Sequence, residues 1–539
     1  MAVFDNFFIK GGRHPLATQR GLQKAIETLP TEVRRETLRK AAEWFASLDN
    51  AGLSAARQLD ILLSFDSAVQ KYRDLLWLCL RDSQSKDLAF VDARQALIEY
   101  CAVFSRRVDD LIDNVAQNDG EDIAGEDEVL VLAGRSLRTL AGWKRALYLD
   151  HEVIPPEIWS RLFVVLRLAF QWQAATREIR LYEHEAPTTL QCEFLRAVML
   201  DTLPLANLTW RQIQITNTVL DHFADKFLLR AEPSQLTPYF LNLAQSNGPQ
   251  HASRAAVPAA AVFVGPGAAF PEIVRLAQDI STHQAIPDWL TVPKNSKPAE
   301  IAKALTLAIR HWSRTPPQRA TNRRRSTDFL QVLQGFQPIR NALNLVESGA
   351  KTNTPLLGYY ANNPIYTTQR LSKSRRSAPE GAETWEIMDE SPTGAGAVPK
   401  SKRATLVIGT LLGCFRPREG QWQVAVTRRT SHDRQSRFLV GMQFMAGAPY
   451  AAAVGLRAKA AGTQTREGTV WHDAIVLFEQ KKLLLEHCGA TPGMVALLRV
   501  GDSERHCIKL AKLEETHADW ESWDFSLTTE LEWATAQTP

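Results

Sequence analysis

At 539 residues the chain is long enough for several domains, and 45% hydrophobic with 23% charged residues is the composition of an ordinary globular protein. A net charge of +4 is too small at this length to imply bulk nucleic-acid binding, and no run of about eighteen uninterrupted apolar residues marks a membrane span. Six cysteines (Cys79, Cys101, Cys192, Cys414, Cys488 and Cys507) form no C-x-x-C pair, and Asp5, Lys10 and Arg13 interrupt any apolar signal core, which points to a reducing cytoplasm and away from structural zinc.

Residues 1–230 read as a helical domain. Apolar residues recur at Leu59, Leu62, Leu63, Val69, Tyr72, Leu76 and Leu80, close to a period of 3.6, and 90–108 and 129–149 continue the pattern. Pro155-Pro156-Glu157 opens another helix, where proline is tolerated in the first turn. Thr209 is placed to cap a helix running to Phe223. Residues 231–312 form a mixed α/β connecting region, with strands over 239–243 and 261–264 and a helix over 298–312. The Gly265-Pro266-Gly267-Ala268-Ala269-Phe270 string resembles a phosphate-binding loop until Phe270, and Pro266 removes an amide donor, so it reads as a turn.

Residues 313–450 read as short β runs with turns between them. A first strand covers 329–336 and a second 385–388, followed by runs over 411–415, 422–429 and 438–444. The first two are separated by a polar stretch containing Thr352-Asn353-Thr354-Pro355 and a Ser/Arg/Lys/Pro/Gly-rich segment, 369–381, expected to be a mobile loop. Residues 451–539 form a C-terminal β extension, with runs over 474–478, 494–500 and 507–513. Its aromatics, Trp520, Trp523, Phe525 and Trp533, read as core. The whole is an α+β multidomain chain.

Two strings in the third segment suit one chemistry. Arg319-Ala320-Thr321-Asn322-Arg323 leads into Arg324-Arg325, and Asp389-Glu390-Ser391-Pro392-Thr393-Gly394 follows later. Arginine presents a planar, permanently charged fork that matches phosphate oxygens and the O6/N7 edge of guanine. Asp389 can accept from guanine N–H groups, and Ser391 can accept or donate. Gly394 gives the backbone room to turn closely, with φ > 0 if required.

An R-x-x-x-R followed by a D-x-S-x-x-G resembles the pattern of PilZ domains. The Trp422-x-Val424-x-Val426-x-Arg428 and Val440-Gly441-x-x-Phe444 strings are similar to late strands of PilZ barrels. The resemblance covers 313–450 and implies a PilZ-like antiparallel β-barrel that binds cyclic di-GMP. It carries the site onto Arg319, Arg323, Asp389, Ser391 and Gly394, with Arg324 and Arg325 as further contacts. In compact PilZ domains the motifs lie a few tens of residues apart. Here Asp389 follows Arg323 by 66 positions, so an insertion separates them. The function implied is a cytoplasmic receptor rather than an enzyme, with no cofactor or metal. A protein partner would be reached through the helical region.

Two other classes stay open. A barrel that has lost its ligand would make the chain an interaction scaffold. Asp109-Asp110-x-x-Asp113, a D-D-x-x-D string, would suit a magnesium-dependent diphosphate enzyme, but no second magnesium motif accompanies it and Arg106 and Arg107 adjoin it. His432-Asp433, His472-Asp473, His487-Cys488 and His506-Cys507 fit no standard metal spacing.

Overall fold

The computed structural model describes residues 14–83, 87–117, 125–313, 315, 323–348, 381–400, 406–433, 435, 437–457, 469–501 and 504–529. The chain divides into two compact units, Met1–Gln318 and Arg319–Pro539.

The first unit is helical around a central helix. Helices α1 (Gln19–Glu27), α2 (Arg34–Ala46), α3 (Ala55–Asp82), α4 (Leu88–Gln117), α5 (Glu126–Tyr148), α6 (Pro156–Gln171), α7 (Leu190–Met199) and α8 (Trp210–His222) follow in order. Ser54 caps α3 by accepting from the Arg57 N–H, and α3 then buries Leu59, Leu62, Phe65, Val69, Leu76 and Leu80 on one stripe. Helix α5 is buried on nearly every side, packing on α4, α7, α6 and α3. Thr209 and Gln212 close a reciprocal capping box on α8. Asp66, fully buried on α3, accepts from Arg73 (2.8 Å), Tyr100 (2.7 Å) and Tyr182 (2.6 Å) and pairs with Arg135 at 3.3 Å. Burial would raise its carboxyl, but the two guanidinium groups and two hydroxyls hold it below the usual range.

The same unit ends in a small antiparallel sheet of order β1-β4-β2-β3: β1 (Leu228–Arg230), β2 (Tyr239–Asn242), β3 (Gln250–His251) and β4 (Ala261–Gly265). The Gly265–Phe270 string is the turn between β4 and α9 (Ala269–His283), and α9 packs on α10 (Pro298–Trp312).

The second unit contains two six-stranded antiparallel barrels. In the first, β6 (Phe329–Gln334), β9 (Leu411–Arg416), β10 (Gln421–His432), β11 (Phe438–Phe444), β8 (Gly394–Pro399) and β7 (Glu383–Ser391) close through the β7–β8 pairing. Strand β5 (Arg324–Arg325) adds to the edge of β7. Leu330, Val332, Trp385, Ile387, Ala395, Ala397, Leu412, Cys414, Ala425, Val440 and Met442 fill its interior. In the second barrel the order is β12-β13-β14-β17-β16-β15, from β12 (Tyr450–Arg457), β13 (Thr469–Leu477), β14 (Lys482–Leu485), β15 (Val495–Val500), β16 (Glu504–Thr516) and β17 (Glu521–Leu527). The C-terminal β structure is therefore a closed barrel, with Trp523 and Phe525 in its core and Trp520 buried on its outer side. Trp533 lies outside the described residues.

Two local readings change. The first strand stops at Gln334, and Phe336 instead opens helix α11 (Phe336–Ser348), at the start of what reads as a polar insertion. Trp422, Val424 and Val426 do not face the barrel interior. They join Phe336, Ile339 and Leu343 of α11, and Ala451, Ile475, Leu484 and Trp520 of the second barrel, in a core layer between the barrels. Of the segment expected as a mobile loop, 369–380 lies outside the described residues.

Candidate functional site

The three arginines of this segment that are described, Arg323, Arg324 and Arg325, sit beside β7. Strand β5 runs antiparallel to it, with Arg324 opposite Glu390 and Arg325 opposite Asp389. The chain entering β5 thereby carries Arg323 alongside the second motif, and its Nη1 donates to Asp389 Oδ1. Both side chains are partly open to solvent, 23% and 35% exposed. Arg324 and Arg325 are exposed, and neither has an ion pair among the described residues. Arg319 lies outside the described residues. The structure thus brings Arg323 and Asp389 together across 66 positions of chain.

Local backbone geometry explains the aim of Asp389. The β7–β8 register shifts between Ile387 and Asp389, a bulge that leaves Asp389 opposite Gly396. Ser391 and Gly394 face each other where the β7–β8 hairpin turns back, and the Ser391 hydroxyl donates to the Gly394 carbonyl at 3.2 Å. Gly394 does not have positive φ, in contrast to the freedom expected for it. It is glycine because of close approach: a Cβ there would press on the Met442 carbonyl oxygen of β11. Nearby, Arg416 donates to Glu390 at 3.1 Å and Arg418 pairs with Asp328 at 2.6 Å.

Chemically, the rim offers a guanidinium and a carboxylate side by side with two further cations on β5. A guanidinium takes acceptor edges and phosphate, and a carboxylate takes N–H donors. Arg428, in the Trp422–Arg428 string, is committed elsewhere: it forms a two-pronged pair with Glu515 at 2.8 and 2.6 Å. Burial opposes ionisation of Glu515, but His517 and Arg428 outweigh it and hold that carboxyl far below its usual range.

The other candidates behave differently. Asp109 pairs with Arg161 at 3.0 Å and Asp110 with Arg107 at 3.0 Å, while Asp113 is exposed. Burial, opposed by Arg161 and helped by Asp113 and Asp110, pushes the Asp109 carboxyl up to about 7. Its Oδ1 is buried without a hydrogen-bond partner, as suits a neutral carboxyl. Two of the three carboxyl groups in the string are thus engaged by arginines. Among the described residues no group of three or more His, Cys, Asp or Glu is arranged to hold a metal ion.

Sequence reading passed over a cavity of about 980 Å³ in the helical unit, lined by Arg138, Arg145, Arg196, Glu193, Asp221 and Trp77 among others. Its residues are scattered over α3, α5, α7 and α8, so no local string signals it. Two of its arginines are already paired: Arg138 and Arg196 share Glu193 at 2.9 and 2.7 Å, Arg138 also pairs with Glu185, and Arg196 lies 3.7 Å from Asp221.

Residues 20–234 match a family model described as the N-terminal domain of the cyclic-di-GMP receptor FimW. No curated protein and no solved structure matches the chain. The match falls in the helical unit, on residues that do not overlap the motifs at the barrel rim, and it relates that unit to a family of cyclic-di-GMP receptors.

Proposed function

We propose that this chain is a cyclic di-GMP receptor that takes the nucleotide in PilZ fashion at the rim of its first barrel. The observation that carries the reading is the Arg323–Asp389 pair, assembled from two strings 66 positions apart. The family match over 20–234 supports the same ligand from separate residues. Arg319, Arg323 and the exposed Arg324 and Arg325 supply charge for phosphates and guanine edges. Asp389 accepts from guanine N–H groups, while Ser391 and Gly394 fix the hairpin that presents it. Ligand binding at the rim favours the bound state of the barrel, and the helical unit passes that change to a protein partner through differential affinity for the two states. Among the described residues no helix is long and apolar enough to cross a membrane, and the cysteines are free thiols, which suits a cytoplasmic setting.

The reading also has the nucleotide bound and not consumed. Hydrolysis of a phosphodiester calls for metal-held water or a poised base, and arginine is no base near neutral pH. Dialysis of the pure chain against cyclic di-GMP with magnesium and manganese tests this. Bound nucleotide should be recovered intact by chromatography, with affinity falling as salt rises. Linear dinucleotide accumulating in proportion to protein, and absent from an Arg319→Ala variant, would replace the receptor reading with a phosphodiesterase.

A further inference from the structure

The second barrel carries a pair of arginines that belongs to neither motif. Ala496, Leu498, Ile508 and Leu510 fill the barrel interior from β15 and β16, so Arg499 and Arg505 face outward, and the register sets them directly opposite each other. Like charges so opposed destabilise a strand pair. Arg499 is half-buried and Arg505 exposed, and neither has a hydrogen-bond or ion-pair partner among the described residues. What they share is one ring. The Arg499 Cζ lies 4.7 Å, and the Arg505 Cζ 5.8 Å, from the ring centroid of Trp471 on β13.

The ring is fixed from beneath. Gly455 on β12 is opposite Trp471 on one side and Leu497 on the other, and a Cβ there would stand 3.3 Å from both Cη2 and Cζ2 of the indole. The indole therefore covers Gly455 and leans toward β15, where Arg499 meets it. Asp473, two residues along β13 on the same face, is held by Arg340 at 2.9 Å and Gln337 at 3.2 Å. Lys509, exposed four residues along β16, adds a cation about 13 Å from Arg505. A guanidinium stacked on a ring commits its face and keeps its in-plane N–H donors. The pair thus offers two donor forks and two uncompensated positive charges beside one aromatic ring. Two monocations are matched by one dianion. A phosphomonoester carries about −1.5 to −2 at neutral pH, whereas a carboxylate or a phosphodiester carries a single charge.

We propose that Arg499, Arg505 and Trp471 form an anion site on the outer face of the second barrel, taking a dianionic phosphate, either free or esterified on a small molecule. The phosphate oxygens accept from both guanidinium groups and cancel their mutual repulsion, and Trp471 keeps the two forks in place. The site shares no residue with the rim of the first barrel and does not rest on the cyclic di-GMP reading.

The test is intrinsic fluorescence of the full chain titrated with inorganic phosphate and with glycerol phosphate, against sodium chloride at matched ionic strength. The proteins are the wild type, Trp471→Phe, Arg499→Gln and Arg505→Gln. The wild type should show a saturable change that Trp471→Phe lacks. Each glutamine variant should need about tenfold more phosphate for half-saturation, the scale of a lost charge-assisted contact. Dimethyl phosphate, a monoanionic diester, should bind more weakly than phosphate by a similar factor. Whichever of the two phosphates binds more tightly identifies the source as free or esterified. Thermal melting gives a second readout that needs no change at the indole: phosphate should raise the melting temperature of the wild type above its value in chloride, and not that of an Arg499→Gln, Arg505→Gln double variant. A wild type that responds to phosphate no more than to chloride by either readout overturns the site, as does a response that the glutamine variants keep in full.

Discussion

Arg323 already has a carboxylate partner, so a phosphate or guanine arriving at the rim competes with Asp389 or shares the guanidinium with it. The two motifs are legible because each is a short string whose chemistry is complete in itself. The placing of Asp389 opposite Gly396 is not, because it arises only through cross-strand register, which no local spacing reveals. Gly394 was legible as a necessary glycine but not for its reason, a close approach to β11. Asp109 gives a pH prediction at this scale. Its carboxyl is held at about 7, above the ordinary value of 3.8, so the folded chain binds a proton that the unfolded chain has released between those values. Folding stability from this group is therefore full below pH 4 and declines as pH rises to about 7. In Asp109→Asn that decline disappears. Urea unfolding at pH 5 and pH 8 should show the wild type losing more stability than the variant, by at most about 2.7 kcal/mol. Parallel pH profiles would contradict the neutral carboxyl.

The helices of the first unit follow from the 3.6-residue period in α3, α4 and α5, and the α8 cap from Thr209 alone with Gln212 three residues on. Strands β6, β7, β9, β10, β11, β13, β15 and β16 were visible in the sequence, but β8, β12, β14 and β17 were not, and neither was the facing of β10. An alternation such as Trp422, Val424 and Val426 says that one face is buried without saying whether barrel or helix buries it. Helix α11 was hidden because it follows β6 after one glycine and leads into polar sequence. Strand β8 is sensitive to a single substitution. Adding a methyl at Gly394 forces β8 away from the Met442 carbonyl of β11. Gly394→Ala should therefore destabilise the Arg319–Pro539 unit by about 1–3 kcal/mol, seen as a lower urea midpoint. A wild-type midpoint would show that the strands part without cost.

At the scale of the molecule, the α+β order of helices then barrels was legible from the switch of period near residue 230. Closure of the second barrel was not, since it depends on β12 pairing with β15 some forty residues on. On the proposed reading the nucleotide is held by the rim motifs, which lie in a different compact unit from the family match. Cyclic di-GMP at a hundred times its Kd should accordingly stabilise the Arg319–Pro539 unit by about 2.7 kcal/mol, seen by calorimetry as an upward shift of that unit's unfolding. A scan that the nucleotide leaves unchanged would count against a specific site there. The central claim is tested most directly by isothermal titration of cyclic di-GMP into the full chain and into an Arg319→Ala, Arg323→Ala double variant. The account predicts saturable binding by the wild type and a loss of about 2–3 kcal/mol for each arginine removed. No binding by the wild type, or undiminished affinity in the double variant, would contradict it.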